Sequence, residues 1–205
     1  MAANDRELEV KFFLADLPGL EARLQAAGAS LSQPSVHEIN LRFDTPDGAL
    51  GRAYQVLRLR QDQNVRLTYK GPGKLQGGAR LRQEIEFTVG DFATARRFLE
   101  ALGYQVVLVY EKRRTTYHLG NLEVTLDEMP FGDFAEIEGP TPQDIREAAH
   151  NLGLDWEQRI VGSYTDLFEQ ARRSLGFTFR DLSFENFAAL HVDPKTWGVL
   201  PADEV

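Results

Sequence analysis

Acidic and basic residues recur in this sequence at positions i and i+2, and that spacing gives them chemical meaning. Glu7 and Glu9 are followed by Lys11; Arg58 and Arg60, Glu84 and Glu86, Lys112 and Arg114, and Glu136 and Glu138 repeat the interval. On an extended chain, side chains two apart leave the same face. Two carboxylates so placed lie about 7 Å apart at Cα and can close to about 5 Å, which costs about 3 kcal/mol at an effective dielectric of about 20 unless a cation sits between them. A hard divalent cation removes that cost. All-oxygen ligation suits Mg²⁺ or Mn²⁺, which keep waters and take further ligands from substrate phosphates. The cationic pairs supply the complement, because Arg offers a planar fork of donors to phosphate oxygens and Lys a compact charge. Any one pair taken alone reads better as the solvated face of an ordinary antiparallel sheet. Strong ions of one sign, repeated on segment after segment, point instead to a shared site for a polyphosphate and its metal.

These ions need strands to position them. Period-two alternation predicts strands over residues 6–13, 36–43, 56–60, 65–70, 81–89, 107–119, 122–127 and 134–138. In each, the opposite phase is apolar, as with Leu8, Val10 and Phe12 against Glu7, Glu9 and Lys11. Asp91 is placed to cap a helix ending at Gly103, and Thr141 with Pro142 opens another ending near Gly153. Residues 17–28 and 163–174 read as helices stopped by Gly28 and Gly176. Many strands with few helices predict an α+β fold, mainly antiparallel, with the helices packed outside the sheet. If that sheet closes into a barrel, the ions line a wet interior, one hard to stabilise without ligands, metal and water. Residues 71–79 read as a loop, and the aromatic, proline-bearing stretch 177–205 receives no element.

Composition bounds the possibilities. The 205 residues fit one domain, and the formal net charge of -8 disfavours nucleic acid or an anionic membrane as a general partner. No apolar run reaches membrane-spanning length and no signal core opens the sequence, so a soluble, cytoplasmic protein is expected. With no cysteine, a metal must be held by oxygen or imidazole. His37, His118, His150 and His191 lack paired ligand spacing and read as structural or surface residues. His118 alone shares the phase of Lys112 and Arg114. Gly71-Pro72-Gly73-Lys74 lacks the spacing of a phosphate loop, and Trp156 and Trp197 read as packing residues.

The run Glu7-Leu8-Glu9-Val10-Lys11 matches the ExExK signature of the CYTH superfamily, the triphosphate tunnel metalloenzymes. An ordered continuation adds specificity: Phe43-Asp44-Thr45, Leu57-Arg58-Leu59-Arg60, Lys70 before a Gly-Pro loop, Glu84-Ile85-Glu86, Lys112 and Arg114, Leu126-Asp127, Glu136-Ile137-Glu138-Gly139 and Ser163-Tyr164. The sequence therefore resembles that family over about residues 5–170. The resemblance implies a closed eight-stranded antiparallel β-barrel, a tunnel, occupying residues 1–175, with 176–205 as an extension of unassigned role. It implies Glu7, Glu9, Glu136 and Glu138 as metal-associated carboxylates, with Glu84, Glu86 and Asp127 as further acidic ligands. Lys11, Arg58, Arg60, Lys70, Lys112 and Arg114 become phosphate ligands, and Glu7, Glu9, Lys11, Lys112, Glu136 and Glu138 the catalytic set. Arg66, Arg80, Arg82 and Glu123 share the phase but match the motif less, and read as surface charge.

The activity so implied is metal-dependent hydrolysis of inorganic tripolyphosphate or a small organic triphosphate by a monomer or homodimer. A class IV adenylyl cyclase, converting ATP to cyclic AMP and pyrophosphate, is the alternative. Such cyclases often carry a His-Phe pair just ahead of ExExK, and the six residues before Glu7 lack it. Vertebrate thiamine triphosphatases carry a tryptophan where Val56 stands. A non-catalytic polyphosphate or nucleotide sensor is a third reading, since an intact site does not prove turnover. Carboxylate crowding also predicts that Glu7→Gln or Glu138→Gln removes metal-dependent turnover while leaving the metal-free fold intact or more stable.

Overall fold

The computed structural model describes residues 5–190, 192 and 198–204. Its strands are β1 (Arg6–Leu14), β2 (Ser30–Asp44), β3 (Val56–Gln61), β4 (Val65–Lys70), β5 (Lys74–Gln76), β6 (Ala79–Thr88), β7 (Gln105–Leu119), β8 (Leu122–Met129) and β9 (Gly132–Glu138). The helices are α1 (Leu17–Ala26), α2 (Ala49–Arg52), α3 (Phe92–Ala101), α4 (Pro142–Asn151), α5 (Tyr164–Leu175) and α6 (Phe184–Phe187), with a 3₁₀ turn at Trp156–Gln158.

All nine strands join one antiparallel sheet in the order β1-β9-β8-β7-β2-β3-β4-β6-β5. Strand β1 is paired on both sides, with Glu9 opposite Glu138 of β9 and Glu7 opposite Arg82 of β6, so the sheet closes on itself. Strand β5 lies outside the ring sequence. It extends the line of β4 along β6, and Gly77 and Gly78, both at positive φ, make the tight turn between β5 and β6.

All eight expected strands are present. Strand β2 starts six residues before the expected 36, with register shifts on either side of Gln33 and again before Phe43. Proline cannot donate to a ladder, and Pro34 falls within the irregular stretch, which hid the strand from a period-two reading. Strand β5 was expected to be loop; its side chains are exposed and carry no alternation.

The apolar phase faces outward, beneath the helices. Val10, Phe12, Val124 and Ile137 pack with Leu20 and Leu24 of α1, Ile145 and Ala149 of α4, and Leu152 at its end. Leu99 of α3 covers Leu41, Phe43 and Leu59. Helix α5, expected against the outside, does something different. Phe13 and Phe134 share the inward phase of Lys11 and Glu136, and they cluster with Met129, Tyr164 and Phe168, so α5 plugs one end of the ring. Residues 177–204, for which the sequence assigned no element, contribute Leu182, Phe187 and Val199 to this plug. Leu182 is hydrogen-bonded at its N–H and C=O to β7, and the Asp203 carboxylate accepts from the N–H groups of Ala15 and Asp16 at 2.8 and 2.9 Å. His191 and Trp197 lie outside the described residues. Among the described residues no helix is long and apolar enough to cross a membrane.

The Phe43-Asp44-Thr45 turn has a local reason. Buried Asp44 accepts from the backbone N–H groups of Thr45, Leu50 and Gly51 at 2.7, 2.8 and 2.9 Å, fastening α2 to the end of β2. Asp44→Ala leaves three donors unsatisfied and should lower unfolding free energy by about 1–3 kcal/mol, read by urea titration.

Candidate active site

The inward phase of the ring is ionic. On β1, Glu7 accepts from Lys70 Nζ of β4 at 2.7 Å and from Arg82 Nε of β6 at 2.6 Å. Glu9 lies 2.7 Å from Lys11 Nζ and 3.2 Å from Arg82, and Lys11 also reaches Glu136 of β9 at 3.1 Å. Farther along β6, Glu86 is 3.3 Å from Arg58 and 3.1 Å from Arg60, and it accepts from the Thr68 hydroxyl at 2.7 Å. Glu84 stands 3.1 Å from Lys70. Strand pairing places these partners side by side: Thr68 faces Glu86 and Lys70 faces Glu84 across β4 and β6.

Next to the plug, Asp127 is fully buried and accepts from Lys112 Nζ at 3.1 Å, Arg114 Nε at 2.6 Å and the Tyr164 hydroxyl at 2.7 Å. Arg114 also bonds Glu136. The Tyr164 ring lies beneath both ammonium groups, 5.5 Å from Lys11 Nζ and 5.6 Å from Lys112 Nζ. Interior charges are normally costly to bury, and here nearly every one is offset by an opposite charge within contact.

Glu138 is the exception. Among the described residues it has no cationic partner. Burial, followed by repulsion from Glu7, Glu123, Glu9 and Glu84, pushes its carboxyl up to about 8. Burial also works to raise Glu7, but Lys70 and Arg82 outweigh it and hold that carboxyl well below the usual range. Glu123 shares the cavity and likewise has no cationic partner among the described residues. The basic and acidic side chains thus divide unequally, with Glu138 and Glu123 the acidic groups left without a cation among the described residues.

All of the expected site residues except Asp127 line one cavity of about 470 Å³, a volume typical of small-molecule sites. Asp127 lies behind the wall with its oxygens already engaged. The structure adds residues that the sequence did not assign. Arg82, read as surface charge, bridges Glu7 and Glu9 and lines the cavity, as does Glu123. Glu38, 1% exposed, lies 3.5 Å from Arg60 and 3.6 Å from Lys112. Burial opposes its ionisation, yet Lys112, Arg114 and Arg60 bring its carboxyl down to about 2. Phase alone could have found both Arg82 and Glu38. Arg42 and Tyr110 also line the cavity. His118, His150 and His37 do not, and His118 and His150 are exposed.

Could the acidic residues hold a divalent cation? Among the described residues no three carboxylate or imidazole groups converge on one point. The donors are nevertheless hard oxygens, and Glu138 and Glu123 are uncompensated beside Glu7 and Glu9. That set suits an ion that draws part of its shell from water and substrate phosphate better than one held in an all-protein cage.

A closed antiparallel ring whose inner wall carries paired acids and bases defines a class of protein, and comparison with known proteins agrees. The chain belongs to the CYTH domain family, which it matches over residues 5–160. It is 32% identical over 178 residues to adenylate cyclase CyaB of Aeromonas hydrophila, covering 80% of this chain and 90% of that one. Its fold resembles the crystal structure of a putative adenylate cyclase from Vibrio parahaemolyticus, with a TM-score of 0.72, 22% identity and coverage of 80% and 97% of the two chains. It also resembles a putative adenylyl cyclase from Hippeastrum described as having a dominant triphosphatase activity, with a TM-score of 0.59, 20% identity and coverage of 80% and 95%.

Proposed function

We propose that the cavity binds a triphosphate with Mg²⁺ or Mn²⁺ and hydrolyses it, the substrate being inorganic tripolyphosphate or a small organic triphosphate. The observation that carries this reading is the division of charge around one cavity: bases on several strands, most of them held by carboxylates, with Glu138 and Glu123 left without cations among the described residues. A polyphosphate replaces carboxylates as the partner of Lys11, Arg58, Arg60, Lys70, Lys112 and Arg114. Glu7 and Glu9, once free of Lys70, Arg82 and Lys11, are the carboxylates that would hold the metal together with Glu138. A bound divalent cation supplies Lewis-acid neutralisation of charge on the phosphoryl oxygens.

The chain's own residues do the remainder. Arg58 and Arg60 present guanidinium forks from β3, fixing the polyphosphate along the wall. Lys11 and Lys112, held over the Tyr164 ring, present two ammonium charges to oxygens on which negative charge grows as the phosphorus–oxygen bond lengthens. Asp127 keeps Lys112 and Arg114 in place without itself meeting the substrate. The aromatic plug excludes water from one end.

The identity with adenylate cyclase CyaB favours a second reading. In it the same wall holds ATP, the ribose 3′-hydroxyl attacks the α-phosphorus, and pyrophosphate leaves. One experiment separates the two. Purified protein is incubated with Mg²⁺ or Mn²⁺ and, in parallel, tripolyphosphate, ATP and thiamine triphosphate, and orthophosphate, pyrophosphate and cyclic AMP are resolved. Orthophosphate is the expected product. Cyclic AMP with pyrophosphate from ATP overturns hydrolysis in favour of cyclisation, and binding without product leaves a sensor.

A further inference from the structure

Arg42 is a half-buried cation of the cavity that has no carboxylate partner among the described residues. It lies on β2 directly opposite Arg58 of β3, on the same inward face, and both line the cavity. Like charges directly opposite one another on a sheet destabilise it unless something negative joins them. Arg58 has Glu86 at 3.3 Å. Arg42 has no carboxylate within ion-pair distance among the described residues; its Nη1 donates to the Thr165 hydroxyl at 2.7 Å, which in turn lies 2.8 Å from the Ser163 hydroxyl. A neutral hydroxyl orients the guanidinium without cancelling its charge, and the guanidinium keeps donors to spare. Among the described residues the buried cations of the wall each touch a carboxylate, so the half-buried Arg42 stands apart from them.

Its position matters as much as its charge. The uncompensated carboxylates belong to β8 and β9, whereas β2 lies three strands round the ring from β9 in the order β9-β8-β7-β2. The cavity is therefore two-ended in its unmet partners, with carboxyl groups lacking a cation on β8 and β9 and a guanidinium lacking a carboxylate on β2. A ligand that satisfies both is an anion chain carrying a metal at one stretch and a bare anionic group at the other.

We propose that Arg42 is a substrate-binding residue that takes the phosphoryl group farthest from the metal-bearing carboxylates, so that it sets the length and direction of the polyphosphate the cavity accepts. This rests on the triphosphate reading of the same cavity. Arg42 and Arg58 then grip that group from adjacent strands, and the repulsion between them is relieved when it binds.

The test is a chain-length series. Pyrophosphate, tripolyphosphate and tetrapolyphosphate are titrated calorimetrically in EDTA into the wild type and the Arg42→Ala, Arg42→Gln and Arg42→Lys variants, with thermal melts of each. The wild type should bind tripolyphosphate more tightly than pyrophosphate. Arg42→Ala and Arg42→Gln should lose about tenfold or more of that gain, with pyrophosphate affinity little changed, while Arg42→Lys keeps part of it. Should Arg42→Ala fail to fold, Arg42→Gln, which retains a donor for Thr165, carries the comparison. Retention of the full gain without the Arg42 charge, or equal loss for pyrophosphate and tripolyphosphate, overturns the assignment while leaving triphosphate binding intact. If the wild type binds none of the three anions, either in EDTA or with Mg²⁺ added, the triphosphate reading itself fails, and the role of Arg42 with it.

Discussion

Asp127→Ala is expected to lower the stability of the folded protein by about 3–5 kcal/mol, the range for removing one partner of a buried ionic network. Asp127 is fully buried, and its two oxygens accept from Lys112, Arg114 and the Tyr164 hydroxyl. Alanine leaves Lys112 with only Glu38, at 3.6 Å, and Arg114 with Glu136. It also frees the hydroxyl that ties α5, and with it the plug, to the inner wall. Asp127→Asn keeps the shape and one acceptor oxygen and should fall between wild type and alanine. Thermal melting reads the effect as a loss on the order of 10 °C for a domain of this size. An alanine variant that melts with the wild type would show that Asp127 does not hold the wall together.

Glu138→Gln should abolish metal-dependent turnover and, in metal-free buffer, stabilise the fold at alkaline pH. The sign follows from the direction of the shift. The Glu138 carboxyl is raised in the folded state to about 8 from its ordinary 4.5, first by burial and then by Glu7, Glu123, Glu9 and Glu84. The folded state therefore holds a proton that the unfolded chain has released, and stability falls as pH rises from about 4.5 until the carboxyl ionises near 8. The accumulated loss is about 3–5 kcal/mol by linkage. Glutamine does not ionise, so the variant should match the wild type near pH 4 and exceed it near pH 9. Urea titrations across that range with EDTA, paired with the phosphate-release assay, test both halves. Equal pH dependence in the two proteins would refute the uncompensated state of Glu138.

Glu7→Gln marks where reading the sequence reached its limit. Spacing treats Glu7 and Glu138 alike, as members of crowded acidic pairs, and predicts that neutralising either relieves repulsion. The fold separates them, because β6 brings Arg82 opposite Glu7 and β4 brings Lys70 within 2.7 Å. Glu7→Gln therefore strips two cations of a partner. What strand phase determines, the face on which each ion lies, was legible from residue 6 onward. What register determines, which ion meets which, was not, because register depends on pairings between segments far apart in sequence. Arg82 and Glu38 were overlooked for a different reason, since phase alone places both on the inner face. Arg82 matched the ordered motif less, and Glu38, between His37 and Ile39, has no second carboxylate two residues away. The segment 177–204 has no periodicity to read, since its contacts are single residues such as Leu182 and Phe187 inserted among side chains from other strands and α5.

Strand β1 lies between β6 and β9, partners that begin at Ala79 and Gly132. The consequence is kinetic. An elongating chain exposes the residues of β1 well before either neighbour has been synthesised, and the β9 edge stays open until most of the chain exists. Contacts of such sequence separation give a high contact order, with closure entropy spent before the contacts reward it, which places folding on the slow side for a domain of this size. Glu7, Glu9 and Lys11 on one face of the waiting strand keep that face hydrated, and the same charges that later line the cavity act earlier as a guard against edge-to-edge association.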